Sequence, residues 1–356
     1  MTVTTHAHYD ERTEALEVAK AFAEAIKGKT ILVTGVNRQG VGFTTAQAFA
    51  SQSPAHLIVA GRSASKLQEC IDELERQYPN VEYRALILDL ASQKAVRKAA
   101  EEVLSWSDIP TIDILVNNAG IMNMGLAERE LSDDGLEIHF ATNHVGHFLF
   151  TNLVMPKLLQ AAGTNPKGST RIVQVSSGAA ESGGIRWSDI NFEKTSKDLP
   201  PEEQPDYAIC RRWGIPDAPD RSFVPLMAYV QSKAANVLFG VSLTEKLYHA
   251  HGILSLAVHP GVIATELGRY NTKEQIDSIH KRAQAGRFHF KTQGAGASTS
   301  LVAATDPELG PSEASGHGAF LKNCQLADAH PRAQAPAEAE KLWKLSEELV
   351  GQRFSY

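Results

Sequence analysis

Tyr229 and Lys233, four residues apart in the run Ala228-Tyr229-Val230-Gln231-Ser232-Lys233-Ala234-Ala235-Asn236, are the residues of this chain with the most chemical reach. On a helix that spacing places both side chains on one face, one turn apart. An unperturbed phenol ionises near pH ~10, and a cation within a few ångströms favours the phenolate and draws that value toward neutrality. A phenol tuned in this way can give a proton to a ketone oxygen or take one from an alcohol. The spacing also fits a half-buried ring beside a snorkelling lysine, so the surrounding elements have to decide.

Those elements alternate. Short β-rich runs at 29–34, 57–60, 83–88, 112–116, 171–175 and 254–258 are separated by segments at 63–78, 92–106, 132–162 and 226–250 that contain helices. A further short strand is expected at 318–321. Near-continuous apolar strands between helices imply an α/β protein with a mostly parallel sheet covered on both faces. Right-handed crossovers then give a doubly wound Rossmann fold of about seven strands. Residues 1–27 form a helical extension with Leu16, Ala19, Ala23 and Ile26 on one stripe. Residues 28–356 form a single domain with two departures from the alternation. One is an excursion at 181–221, where Pro200, Pro201, Pro205, Pro216 and Pro219 should break any regular element. The other is a loop-like stretch from 305 that leads into a closing helix at 337–350.

Between the first strand and its helix lies Thr34-Gly35-Val36-Asn37-Arg38-Gln39-Gly40-Val41-Gly42-Phe43. Glycines there permit a tight turn and close approach of the backbone to a pyrophosphate, and the helix N-terminus offers unpaired N–H groups to phosphate. At the end of the second strand an acid would bind the ribose 2′-hydroxyl of NAD, whereas an arginine accommodates the 2′-phosphate of NADP. The chain has Arg62 and Ser63 there and no carboxylate, and Arg38 in the glycine loop could assist. NADP(H) is the expected cofactor. A solvated Arg62 and a Ser63 that only caps a helix remain the alternative.

Composition narrows the partners. With 43% hydrophobic and 21% charged residues the chain reads as soluble and globular, and a net charge of -6 gives no footprint for nucleic acid. Cys70, Cys210 and Cys324 show neither metal-ligand nor disulfide spacing, which suits the cytoplasm. No metal site is expected. No apolar run approaches the ~20 residues that span a bilayer.

Several blocks stand in a recognisable order: the glycine loop, Asp89-Leu90, Asn117-Asn118-Ala119-Gly120, Asn143 in Phe140-Ala141-Thr142-Asn143-His144-Val145-Gly146-His147-Phe148, Ser177 in Val175-Ser176-Ser177-Gly178, the Tyr229/Lys233 pair, and His259-Pro260-Gly261-Val262-Ile263-Ala264-Thr265. Together they resemble the short-chain dehydrogenase/reductase family, and the blocks around Asn143 and Lys233 resemble its retinol-dehydrogenase and WW-domain-oxidoreductase branch. The resemblance implies hydride transfer between a nicotinamide and a carbonyl or secondary alcohol. It assigns proton transfer to Tyr229, carbonyl orientation to Ser177, tuning and ribose binding to Lys233, and a relay water to Asn143. Ser176 is the less favoured alternative to Ser177, and Asn143 could instead satisfy a helix kink. Asp89 and Leu90 match the adenine contact, Asn118, Ala119 and Gly120 the signature turn, and Pro260, Gly261, Val262 and Thr265 the segment over the nicotinamide.

Two features depart from the family pattern. Four residues rather than three separate Gly35 from Gly40, and the excursion sets Ser177 unusually far from Tyr229. That excursion and the segment after Thr265 are the expected substrate walls. Trp187, Phe192, Tyr207, Trp213, Phe223, Tyr270 and Phe288 offer apolar surface for an aromatic or hydrophobic carbonyl, or simply anchor long loops. A non-redox step such as cyclisation, dehydration or epimerisation, or a nucleotide-sensing role, is the rival reading. The helices at 132–162 and 226–250 make a homodimer possible.

Overall fold

The computed structural model describes residues 4–268, 273–286, 288–311 and 318–356. Its centre is an eight-stranded sheet made of β1 (Thr30–Thr34), β2 (His56–Gly61), β3 (Glu82–Ile87), β4 (Ile114–Asn117), β5 (Thr170–Val175) and β6 (Ile253–His259), with two late additions. Two short strands, β7 (Val262–Ile263) and β8 (Phe290–Lys291), form a separate parallel ladder. The late additions are β9 (Phe320–Lys322) and β10 (Gln325–Ala327). The sheet order is β10-β9-β6-β5-β4-β1-β2-β3, with β10 alone antiparallel, against β9. β10 is the strand of this sheet missed from sequence, as were both strands of the separate ladder: Asn323 and Cys324, both at positive φ, close a two-residue hairpin of the kind that matches strand twist.

β1, β4 and β5 are buried along their whole length, as the apolar runs require for strands covered on both faces. The strand order reverses between β1 and β4, and that point opens a crevice at the carboxyl ends of the strands.

Helices Val41–Ala50, Ala64–Gln77 and Gln93–Ser105 follow β1, β2 and β3, and the hydroxyls of Ser63 and Ser92 cap the second and third. The helical run from Ile138 to Ala162 contains a π-turn at Ala141–Val145. Among the helices not legible in the sequence, two lie beyond Thr265. Lys273–Gln284 lies in the segment after Thr265, and Gln293–Thr305 packs on the sheet and against the helix Val41–Ala50. The latter is rich in Gly, Ala, Ser and Thr and is buried from Ala295 onward, so it has no polar face to reveal a period. The N-terminal extension docks on it as two short helices, Ala15–Ala21 and Ala23–Ile26. The break at Phe22 rotates the expected stripe: Val18, Ala19 and Ile26 are buried, whereas Leu16 is exposed.

The excursion is tied down rather than loose. Asp206 accepts from Ala208 and Ile209 N–H, which starts a helix at Tyr207–Arg212 despite the prolines around it. Phe192, Cys210, Ala218 and Phe223 build a satellite core with Met227 and Val230 of the long helix Pro225–His251. A buried Arg186–Asp189 pair at 2.5 Å braces the loop, and Gln231 accepts from Arg186 N–H while donating to Ile190 O.

Candidate active site

The crevice is a cavity of about 620 Å³. One end is the glycine loop, where Gly35, Asn37, Gly40, Val41 and Gly42 line it together with Val36. Gly35 has φ +71°, and a Cβ there would stand 2.5 Å from Ala119 Cα. A Cβ on Gly42 would meet Asn118 Nδ2 at 2.5 Å and Gly35 O at 2.6 Å. These glycines let the loop close onto the signature turn, which is held by Asn118 Nδ2 donating to Thr34 O (2.7 Å) and Ala119 N–H donating to Thr34 Oγ1 (2.9 Å). In the longer loop Asn37 Oδ1 is buried with no hydrogen-bond partner among the described residues. A buried acceptor without a donor is costly, and a ligand with N–H or O–H groups would satisfy it.

Arg62, Ser63 and Lys66 line the end beyond the second strand, and among the described residues no carboxylate lines the cavity. Three expected cofactor contacts do not line it. Arg38 turns outward, with its guanidinium 4.4 Å from the Phe43 ring centroid and 3.8 Å from Glu73. Asp89 accepts from Ala91 N–H and closes its own turn, while Leu90 and the unanticipated Leu88 line the cavity. Val262 pairs with Phe290 in the β7–β8 ladder and its neighbour Ile263 lines the cavity, because successive strand residues face opposite ways. Pro260, Gly261 and Thr265 line it as expected, joined by Ile121, Thr142 and Leu267.

At the inner end Ser177, Tyr229 and Lys233 converge. The Ser177 hydroxyl accepts from Ala179 N–H at 3.2 Å and lies near enough to the Tyr229 phenol to favour its ionised form. Ser176, the alternative, is engaged elsewhere, since its hydroxyl donates to Lys233 O at 2.7 Å. Lys233 Nζ donates to Val175 O at 2.9 Å and lies 5.8 Å from the Tyr229 ring centroid. Gly120 keeps this region open, because a Cβ there would stand 3.3 Å from both Lys233 Nζ and Asn143 Oδ1.

The electrostatics differ from the sequence expectation of a phenol drawn toward neutrality by Lys233. Burial penalises charge on both groups. It pushes the Tyr229 phenol up to about 12, opposed only by the nearby Ser177 hydroxyl, and pushes Lys233 down to about 7.

Asn143 sits in the π-turn with every polar group engaged. Its Oδ1 accepts from Ile121 N–H (2.8 Å), and its Nδ2 donates to Ile121 O (3.0 Å) and Ser232 Oγ (2.9 Å). Its backbone carbonyl accepts from His147 Nδ1 (3.0 Å) and Asn236 Nδ2 (2.8 Å). Since that carbonyl can only accept, His147 carries its proton on Nδ1 and accepts at Nε2 from Thr34 Oγ1 (3.0 Å). His147 therefore couples the π-turn to the glycine loop, and burial holds it neutral by lowering its pKa to about 4.

None of the described aromatic residues expected at the substrate walls lines the cavity. Trp187 donates to Glu338 Oε2 at 2.7 Å beneath Lys341, Phe192 and Phe223 fill the satellite core, and Phe288 packs on Phe290. Tyr270 lies outside the described residues.

The fold and cavity define a Rossmann-type protein shaped to hold a dinucleotide across the carboxyl edge of its sheet, with a polar cluster at the inner end. Residues 29–189 match the short chain dehydrogenase family. The chain is 37% identical over 253 residues to the oxidoreductase fscI of Fusarium equiseti, covering 71% of this chain and 94% of that protein. It is 32% identical over 338 residues to human retinol dehydrogenase 14, covering 91% and 87%. A solved structure of an uncharacterized protein from Mycobacterium paratuberculosis superposes with a TM-score of 0.63 at 27% identity, covering 93% of this chain and 96% of that one. The chain belongs to the short-chain dehydrogenase/reductase family, in its retinol-dehydrogenase-like branch. It is accordingly an oxidoreductase that uses a nicotinamide cofactor and acts on the CH–OH or C=O group of a small molecule. No helix among the described residues is long and apolar enough to cross a membrane.

Proposed function

We propose that this protein is an NADP(H)-dependent reductase of ketones or aldehydes on hydrophobic or aromatic small molecules. One observation carries the reading: Ser177, Tyr229 and Lys233 meet at the inner end of a cavity whose other end has Arg62, Ser63 and Lys66 and, among the described residues, no acid. Glycines cleared for close approach and the unsatisfied Asn37 Oδ1 fit a dinucleotide along its length.

A bound nicotinamide supplies the hydride. Tyr229, held neutral by burial, has the proton that the reduced carbonyl oxygen must receive. Ser177 donates a hydrogen bond to that oxygen and stabilises the charge developing on it. Lys233 would hold the nicotinamide ribose and return a proton to Tyr229. Asn143 keeps the Ile121 loop and Ser232 in place through the three hydrogen bonds of its side-chain amide. The satellite apolar cluster joined by Met122 and Met124 starts one residue beyond Ile121, which supports an apolar substrate.

Nicotinamide fluorescence titration should give tighter binding of NADPH than NADH. Arg62→Asp should move that preference toward NADH by about 10- to 100-fold, the worth of a charged hydrogen bond. Tighter NADH binding by the unaltered protein refutes the cofactor assignment. NADPH oxidation over a carbonyl panel tests the substrate class, and activity confined to small polar carbonyls counts against it.

The protein is expected to be a monomer through its long helices. Every residue from Pro225 to Thr244 is buried within the single chain. The C-terminal helix Pro336–Val350 packs on this helix, with Trp343 5.0 Å from Phe148 and 6.2 Å from Phe239 between ring centroids. Light scattering on a sizing column checks this, and a dimer that persists at micromolar dilution overturns it. The buried, unbridged Cys70, Cys210 and Cys324 suit a reducing cytoplasm, which cell fractionation would test.

A further inference from the structure

Beside Tyr229, outside the cavity lining, lies a fully buried carboxylate and imidazole. Glu137 and His139 are 0% exposed, and Glu137 Oε1 stands 2.6 Å from His139 Nδ1. On the far side of the ring, His139 Nε2 accepts from the backbone N–H of Asn123 at 2.9 Å. A ring nitrogen that accepts carries no proton, so Nδ1 holds the N–H and donates it to the carboxylate. The second Glu137 oxygen, Oε2, accepts from Phe140 N–H at 2.9 Å, and the Glu137 N–H donates to Asn191 Oδ1 of the excursion at 2.9 Å. The imidazole meets the Tyr229 ring edge-on, with centroids 6.3 Å apart at 76°.

Three contacts of this pair lead toward the site. Asn123 follows Ile121, which lines the cavity, and sits between Met122 and Met124 of the apolar cluster. Phe140 begins the run into the π-turn that carries Asn143. The ring edge bears on the proposed proton donor itself. We propose that Glu137 and His139 are a positioning pair, which holds the loop 121–124 and the Tyr229 ring in the register that carbonyl reduction needs. The inference rests on the reading of Tyr229 as the proton donor. A buried acid with a hydrogen-bonded imidazole keeps a fixed tautomer and a fixed ring plane, whereas apolar packing alone would let the loop slide.

The test uses the full chain with NADPH and 4-nitrobenzaldehyde, or the panel carbonyl that the unaltered protein reduces fastest. His139→Leu should lower kcat by about 100-fold, the scale of an ångström-sized misplacement, and leave the NADPH Kd within about 2-fold because the pair does not line the cofactor cavity. In His139→Gln the carboxamide can accept from Asn123 and donate to Glu137, so kcat should recover to within about 5-fold of the unaltered protein. Full kcat in His139→Leu, no recovery in His139→Gln, or a Kd that weakens in step with kcat overturns the proposal. If His139→Leu does not fold, Glu137→Gln decides on the same readouts. Its amide would face Phe140 N–H donor to donor, kcat should fall with Kd unchanged, and an unchanged kcat overturns the pair. Tyr229→Phe in parallel separates the two ideas. Full turnover in that variant removes the underlying reading, whereas an inactive Tyr229→Phe beside a fully active His139→Leu removes only the positioning pair.

Discussion

Tyr229→Phe is expected to lower kcat by about 1,000-fold, within the range that a positioned general acid contributes, while NADPH binds as before. The ring is 5% exposed in the unaltered protein, and phenylalanine fills the same space without the hydroxyl. Folding should therefore be preserved, and thermal unfolding of the variant checks that it is. The loss falls on the group beside Ser177, and the remaining serine cannot supply the proton in its place, since an aliphatic hydroxyl is a far weaker acid than a phenol. Steady-state NADPH oxidation, paired with a fluorescence titration of cofactor, separates chemistry from binding. Full turnover in the variant would sink hydride transfer with Tyr229 as donor and favour a non-redox step or nucleotide sensing.

Gly35→Ala should weaken NADPH binding by more than about 100-fold and lower the unfolding midpoint. Two costs coincide at this position. A non-glycine residue at φ +71° is in the left-handed region, at roughly 1–2 kcal/mol. The new methyl would also stand 2.5 Å from Ala119 Cα and 2.9 Å from Ala119 N, so one of two backbones must move. Moving Ala119 breaks its hydrogen bond to Thr34 Oγ1 and takes the signature turn away from the cavity. Gly28→Ala is the control, because Gly28 also has φ +71° but nothing within 4 Å of the added Cβ. It should show only the backbone cost, with cofactor binding unchanged. Equal cofactor affinities in the two variants would mean that the close approach at Gly35 is irrelevant to binding.

The apolar runs of β1, β4 and β5 and their alternation with helical segments made most of the doubly wound sheet legible, because strand burial is written in neighbouring residues. The helix Gln293–Thr305 escaped, since burial on all sides erases the periodicity that marks a surface helix. The pairing of Glu137 with His139 escaped for a different reason. Residues two apart do not face each other on a helix, and these meet only because Glu137 caps the turn and folds back over it. The glycines, Arg62, Ser177, Tyr229 and Lys233 were named from residue type, spacing and order, and the structure brings them to one cavity.

By itself, then, the sequence determined the family, the sheet and the residues that could do redox chemistry, all properties carried by short local patterns. Only the tertiary structure decided the rest. It turned Arg38 and Val262 away from the cavity, engaged Ser176 with Lys233 O, spent the hydrogen-bonding groups of Asn143 on the protein, and put His139 against Tyr229. It also set the charge preferences of Tyr229 and Lys233, because desolvation depends on everything packed around a group rather than on its neighbours in the chain.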